Sequence, residues 1–362
     1  MTEQFHSLGA IAVVGGGSAG HVVPALPVID ALLNRQWQIH FIGTRSGLEE
    51  RLLGGRQITF HGIAAGKLRR YLAWQNITDI ARIVWALLES LWLLRRIQPK
   101  VLFSKGGFVS LPPVVAAWLL RIPVVAHESD LTPGLANRLA APFVKTFCTS
   151  FADTGLGRFR GRVKHTGTPI RPELLVGDGA KGRDTFAAGN KAILLVTGGS
   201  LGADKLNQVV REALPELLQQ YTELHICGPG KVSGAAQPGY MEFEYVAEGW
   251  ADLLDAAEVV LSRAGANALF ELLTLGKLNL LVPLSAAASR GDQIANAAYA
   301  EQQGYSQVLQ ESDLNPQSLC QALQRLREDR QSYMSKLAQF QRLPTIDSVS
   351  YTHLRAHETR RY

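Results

Sequence analysis

The sequence predicts an α/β protein built from two Rossmann-like halves. Three observations carry this reading. Short continuous apolar runs recur at strand length, as buried parallel strands do. Two of them, Ala10-Ile11-Ala12-Val13-Val14 and the run 191–197, lead straight into glycine-rich turns. Apolar stretches of helical length separate the runs, which is the alternation of a doubly wound domain.

In the first half, the strand at 10–14 ends at Gly15-Gly16-Gly17, and a helix is expected over 24–33. A strand over 38–42 follows, then buried strands over 101–103, 124–126 and 146–149, with an apolar helix over 111–120 between them. A second round begins after Gly167-Thr168-Pro169. Residues 172–190 read as a surface excursion, and the run 191–197 then feeds Gly198-Gly199-Ser200-Leu201-Gly202. A helix over 205–219 and strands over 223–227, 259–262 and 278–282 complete this half. The stretch 315–340 reads as helical and the polar end from Thr352 as loose. The expected domains are 1–166 and 167–345, with a tail over 346–362.

Bulk properties agree. The chain has 362 residues, 46% hydrophobic and 19% charged, enough for two cores and too apolar for pervasive disorder. Cys148, Cys227 and Cys320 lie far apart, which argues against a disulfide framework and suits a reducing compartment. The net charge of +6 is too small to imply nucleic acid, yet it favours diphosphates and acidic lipid surfaces. The first ten residues lack the basic-then-apolar order of a signal peptide, so none is expected, and no run has the length to span a bilayer.

Gly15-Gly16-Gly17-Ser18-Ala19-Gly20-His21 supplies a tight turn and the donors of a following helix start, the ingredients of an anion site. It satisfies G-x-G-x-x-G, but no acidic residue closes the second strand at His40-Phe41-Ile42-Gly43-Thr44-Arg45, which weakens a dinucleotide reading. His21, read as lying at the helix start, would stay neutral there and can take a proton from a sugar hydroxyl; packing or capping is the plainer role. Ser104-Lys105-Gly106-Gly107-Phe108-Val109-Ser110 is a second such turn in this half. Gly198 to Gly202 is its counterpart in the other, with the Ser200 hydroxyl as an added donor. Three phosphate-friendly turns exceed the needs of one small nucleotide and hint at two phosphorylated substrates. Arg171, near the hinge, can neutralise a diphosphate, and by itself reads equally as a surface cation.

The segment Ser262 to Glu271 reads as strand, small-residue turn and helix. Glu271 can grip a ribose diol there, or it can be an ordinary helix carboxylate. Asp292, Gln293 and Asn296 gather at another helix start, where they can read sugar hydroxyls; capping explains Asp292 equally. His127-Glu128-Ser129-Asp130 follows a strand and should sit at the carboxyl edge of the sheet. No HExxH, compact ligand set or Gly-x-Ser-x-Gly elbow supports a metal or a serine hydrolase. Residues 67–96 combine three tryptophans and many aliphatics with arginines at both ends. Lipid contact suits such a segment, above all its loop 67–74 with Leu72 and Trp74, whereas 77–94 reads best as a helix buried on the sheet.

Taken together, Gly16 to His21, Gly106 to Ser110, His127-Glu128, Gly198 to Ser200 and Gly265 to Glu271 resemble the MurG family of bacterial peptidoglycan glycosyltransferases. The resemblance runs from about Ile11 to the helix near Gln321. It implies a GT-B fold, two Rossmann-like domains facing a cleft, with a lipid-acceptor domain first and a UDP-sugar donor domain second. It implies an inverting, metal-independent transfer of N-acetylglucosamine from UDP-N-acetylglucosamine to lipid I, giving lipid II, with no cofactor. By motif match, Arg171 and Ser200 would contact the diphosphate, Glu271 the ribose and the backbone near Val246 the uracil. Ala266, Asp292, Gln293 and Asn296 would read the sugar. Gly17, Ser18, Ala19, Gly20, Gly106, Gly107 and Phe108 would serve the acceptor, with His21 the leading base and Asp130 sharing that candidacy. The implied partners are UDP-N-acetylglucosamine, undecaprenyl-linked lipid I, an anionic membrane surface and cell-wall synthesis proteins, without nucleic acid. The implied location is peripheral, on the cytoplasmic face of the bacterial membrane.

The chain departs from the family pattern at three places. Ser129-Asp130 stands where Gln-Asn is common, Asp292-Gln293 where paired glutamines are, and Ser18-Ala19 where Thr-Gly is. An ionised aspartate donates no hydrogen bond, so sugar contacts should differ in detail. Other readings are a related glycolipid transferase, a UDP-N-acetylglucosamine 2-epimerase, or a non-catalytic nucleotide-sugar-binding membrane scaffold.

Overall fold

The computed structural model describes residues 8–64, 75–157, 159, 161–234, 237–286 and 289–350, and only the backbone of 75–80. The chain divides into two compact units, between Ile170 and Arg171 and again between Arg342 and Leu343. The boundary expected after residue 166 therefore falls after Ile170, and the chain returns to the first unit before residue 345.

The first unit carries a parallel sheet of β1 (Ala10–Gly15), β2 (Gln38–Thr44), β3 (Ile58–Ile63), β4 (Val101–Gly106), β5 (Val124–Glu128), β6 (Thr146–Thr149) and β7 (Arg162–His165), in the order β3-β2-β1-β4-β5-β6-β7. Its helices are α1 (Ala19–Val22), α2 (Leu26–Asn34), α3 (Glu49–Leu53), α4 (Gln75–Ile97), α5 (Leu111–Leu119) and α6 (Leu135–Ala140). Successive side chains of a strand point to opposite faces. Accordingly Ile11 and Val13 enter one core, with α2, while Ala12 and Val14 enter the other, with α4 and α5.

The second unit repeats the plan with β8 (Ala192–Thr197), β9 (Tyr221–Ile226), β10 (Tyr240–Phe243), β11 (Val259–Ser262), β12 (Leu278–Leu281) and β13 (Gln307–Val308), in the order β10-β9-β8-β11-β12-β13. Its helices are α7 (Gly179–Thr185), α8 (Asp204–Gln220), α9 (Trp250–Ala256), α10 (Ala266–Thr274), α11 (Asp292–Gln302), α12 (Pro316–Glu328) and α13 (Arg330–Leu337).

Four expectations are corrected. The helix over 24–33 is instead α1, a 3-10 turn Val23–Ala25 and α2; Pro24 and Pro27, which lack an N–H, take early helical positions and break the run. The excursion over 172–190 is structured: Asp178 caps α7, and Gly182 lies so close to α9 that a Cβ there would meet Asp252 O at 2.3 Å. The helix over 315–340 is two, meeting at Asp329. Finally, residues 345–350 form a helical segment rather than a separate tail. Val349 is buried in the core shared by β1 and α2, and Thr345 Oγ1 donates to Thr166 O at 2.5 Å.

Candidate functional site

In an open parallel sheet, ligands gather beyond the carboxyl ends of the strands, where the strand order reverses. That point lies between β1 and β4 in the first unit and between β8 and β11 in the second. The turns singled out in the sequence occupy both points.

In the first unit, the turns after β1 and β4 touch. Gly107 has φ +88°, and a Cβ on it would lie 2.0 Å from Gly16 O and 3.1 Å from His21 Cδ2. Gly17 has φ +84° and faces the Phe108 ring, 2.1 Å from its own hypothetical Cβ. Gly17, Ser18 and Gly20 are exposed, while Ala19 and His21 are half-buried. Instead of opening a helix of ordinary length, His21 lies within the single turn α1, where its N–H donates to Ser18 O at 3.2 Å.

Sequence reasoning missed Glu49. It found no carboxylate at the end of β2, yet Glu49 on α3 reaches back to that place. The carboxylate is fully buried and accepts from Gly17 N at 2.9 Å and from Thr44 Oγ1 at 2.9 Å. A Cβ on Gly16 would meet it at 2.2 Å. One N–H of the first turn is therefore held by the protein's own anion, and the spacing to Glu49 through α3 gave no local signal of this.

His127, Glu128, Ser129 and Asp130 close β5, the neighbour of β4. Glu128 is a brace: it accepts from Asp130 N at 3.0 Å, Gly134 N at 3.0 Å and Asn137 Nδ2 at 2.8 Å. Asp130 is half-buried in the turn so formed.

In the second unit, the turn after β8 presents Gly199 and Ser200 to solvent, with Gly199 at φ +82°. Gly202, at φ +70°, is pressed against the next strand end: a Cβ on it would lie 1.8 Å from Cys227 O. That carbonyl is held by Asn207 Nδ2 at 2.8 Å, and Asn207 Oδ1 in turn meets His225 Nε2 at 3.0 Å. Atoms of His225, Cys227 and Glu242 lie within 4.8 Å of one another, a ligand-like grouping that sequence spacing did not reveal. Their polar atoms are already engaged. Tyr240 meets both His225 Nδ1, at 2.9 Å, and Glu242, at 2.7 Å, and Arg211 holds Glu242 at 2.6 Å. Burial lowers His225 to about 4 and raises Cys227 to about 11. This network is the footing of the Gly198–Gly202 turn.

Arg171 and Glu271 come together, their charged groups 3.4 Å apart and both partly exposed. Burial raises the Glu271 pKa and Arg171 opposes it. Among the described residues Arg171 Nε, which is buried, finds no protein partner. Ala266 opens α10 in the turn after β11, and Val246 is buried just after β10. At the start of α11, Asp292 pairs with Arg290 at 3.2 Å and is partly exposed. Gln293 Oε1 accepts from Leu284 N at 3.0 Å. Asn296 is 0% exposed and donates to Ala264 O at 3.2 Å, bracing the turn before Ala266. Arg263 and Glu311, a second pair missed by sequence, meet at 2.5 Å and tie the same turn to Val282 O and Ser285 N.

The helix expected to be buried over 77–94 is only half so. Ala86, Leu93 and Leu94 enter the core, but Val84, Trp85, Leu88 and Trp92 are exposed along one side of α4, Trp92 by 62%. Among the described residues no helix is long and apolar enough to cross a membrane. Leu72 and Trp74 lie outside the described residues.

Residues 11–149 match the glycosyltransferase family 28 N-terminal domain and residues 193–348 its C-terminal domain. The UDP-N-acetylglucosamine--N-acetylmuramyl-(pentapeptide) pyrophosphoryl-undecaprenol N-acetylglucosamine transferase of Clostridium kluyveri is 46% identical over 330 residues, 90% of this chain and 94% of the relative. The transferase of the same name from Legionella pneumophila is 47% identical over 320 residues, 87% of this chain and 88% of the relative. The crystal structure of MurG from Acinetobacter baumannii superposes with a TM-score of 0.77 at 26% identity, covering 96% of this chain and 99% of that one. The chain belongs to the MurG family. Its fold is accordingly GT-B with two Rossmann-like domains, and it is a glycosyltransferase.

Proposed function

We propose that the chain transfers N-acetylglucosamine from UDP-N-acetylglucosamine to lipid I, forming lipid II in peptidoglycan synthesis. The observation that carries this is the presence of a glycine-rich turn at the switch point of each unit, in a chain 46% identical to a transferase of that name across nearly its whole length. Two phosphorylated substrates need two such cradles, one for the nucleotide sugar and one for the lipid diphosphate.

The second unit holds the donor in this reading. Arg171, with its unsatisfied Nε–H, and the exposed Gly199-Ser200 turn stabilise charge as UDP leaves. Glu271 shares its carboxylate between Arg171 and the ribose diol. The uracil lies against the backbone near Val246, and Ala266, Asp292 and Gln293 border the sugar, braced from behind by Asn296. The first unit holds the acceptor at Gly17 to Gly20 and Gly106 to Phe108. His21 is the leading base for the muramyl 4-hydroxyl, with Asp130 the other candidate. The hydroxyl attacks the anomeric carbon opposite the leaving UDP, which inverts the centre. Arginine and backbone donors meet the leaving diphosphate's charge, so the transfer runs without a metal.

The exposed side of α4, with Trp85 and Trp92 flanked by Arg82, Arg95 and Arg96, suits the interface of an anionic bilayer, where lipid I resides. In this reading the protein works peripherally on the cytoplasmic face, within reach of cell-wall synthesis proteins.

Offering UDP-N-acetylglucosamine and lipid I in detergent, with mass analysis of the lipid product, tests the reaction. The expected product gains one N-acetylhexosamine; intact donor binding without that gain refutes the assignment. Glu271→Ala should weaken donor binding about tenfold or more, and unchanged affinity removes its ribose role.

A further inference from the structure

Lys105, the penultimate residue of β4, is 2% exposed, yet its side chain ends among polar atoms. Its Nζ lies 2.9 Å from His127 Nδ1 and in hydrogen-bond contact with Ser129 Oγ. His127 Nε2 lies 2.9 Å from Gly167 O. A carbonyl only accepts, so Nε2 carries the ring proton and Nδ1 offers its lone pair to the ammonium. Burial, and then the Lys105 charge, hold the imidazole well below the ordinary histidine range, so it is neutral. Burial also lowers Lys105 to about 8, against the raising influence of Glu128, Asp130 and Cys148, which leaves it mostly ammonium at neutral pH.

Among the described residues, both hydrogen-bond partners of this buried cation are therefore neutral. The Glu128 oxygens are taken up by Asp130 N, Gly134 N and Asn137 Nδ2. A buried charge without a direct counter-ion is costly and draws an anion. An ammonium has donors only, so Ser129 Oγ must accept from it. The serine O–H, polarised by the charge behind it, then donates outward. Ser129 is half-buried, at the surface end of a chain that starts in the core. β1, β4 and β5 lie side by side, about 4.8 Å apart, and the Lys105 Cβ is 3.3 Å from where a Cβ on Gly15 would stand. Lys105 thus sits behind both turns assigned to the acceptor and behind the turn after β5.

We propose that Ser129, backed by Lys105, donates a hydrogen bond to a phosphate oxygen of the acceptor's diphosphate, Ser129 touching the substrate and Lys105 acting as its positioning residue. The proposal rests on the acceptor role of the first unit.

The test compares wild type, Ser129→Ala, Lys105→Met and the double variant on lipid I and on the same muramyl-pentapeptide carried by an uncharged alkyl link. Each single change should raise the KM for lipid I about tenfold and leave the KM for UDP-N-acetylglucosamine in place. The double variant should be no worse than Lys105→Met, and the penalty should shrink on the uncharged acceptor. The wild-type KM for lipid I should climb as pH rises through about 8, where Lys105 loses its proton, and that rise should flatten in Lys105→Met. The groups facing Lys105 are His127, Glu128 and Asp130 on and after β5 and Cys148 on β6. An unchanged KM in Ser129→Ala, or an equal penalty on both acceptors, overturns the subsite while the reaction stands. Ser129→Ala removes one oxygen from a half-buried position, so it decides even where Lys105→Met does not fold. Failure of the wild type to glycosylate lipid I refutes the reaction itself, and the subsite with it.

Discussion

Single residues at the two switch points carry more constraint than their size suggests. Gly107 combines a left-handed backbone with a Cβ position 2.0 Å from Gly16 O, backbone that cannot swing away as a flexible side chain would. Gly107→Ala should cost roughly 2 kcal/mol or more and pry apart the two acceptor turns. Isothermal titration should then show UDP-N-acetylglucosamine binding retained while transfer is lost; retained transfer would uncouple that contact from function. His225 makes a different demand. Its folded pKa of about 4 lies below the ordinary 6.5, so the unfolded chain binds the proton more readily. The stability contributed by the neutral ring is present above about 6.5 and declines as pH falls toward 4. Thermal melts should show the advantage of wild type over His225→Gln shrinking across that window, and a constant difference would mean the ring does not titrate in the fold. Some residues were legible in the sequence and others were not. Glycines that follow an apolar run announce a turn, because only local geometry is involved. Glu49, Asn207 and Glu311 act on backbone that their own neighbours in sequence do not form, so no local pattern marks them.

Among elements, central strands were read closely and edge strands were not. β6 and β11 coincide with the expected spans because both faces of a central parallel strand are covered, leaving an uninterrupted apolar run. β7, Arg162–His165, and β10, Tyr240–Phe243, lie at sheet edges, carry charge and are not among the expected strands. Helix α4 shows the opposite error. Its apolar content satisfies a buried helix, but burial of Ala86, Leu93 and Leu94 leaves Trp85 and Trp92 outward, with the Arg96 guanidinium 5.5 Å over the Trp92 ring. Replacing Trp85 and Trp92 together with glutamate should lower sedimentation with vesicles containing anionic lipid about tenfold or more. Added salt should weaken wild-type binding through the flanking arginines. Vesicle binding that survives both would place the membrane contact elsewhere.

At the scale of the molecule, the two units are successive in sequence except at the end, where residues from Leu343 return to the first. Val349 is fully buried there among β1 and α2 residues, and Thr345 donates to Thr166 O. Val349→Asp should therefore cost about 3 kcal/mol or more, lowering the melting temperature of the first unit while the second keeps its affinity for UDP-N-acetylglucosamine. Equal loss in both would show that they unfold as one. The sequence by itself determined the two Rossmann-like halves and the glycine turns that end their first strands, since each is written in contiguous residues whose period and type have local physical causes. Only the tertiary structure decided that Glu49 occupies the first turn, that Asn296 is a brace, that α4 keeps an apolar side in solvent and that Lys105 stands behind Ser129. Those outcomes depend on which distant groups are brought within hydrogen-bond range, and on which are left without a neighbour, when the strands order themselves in the sheet.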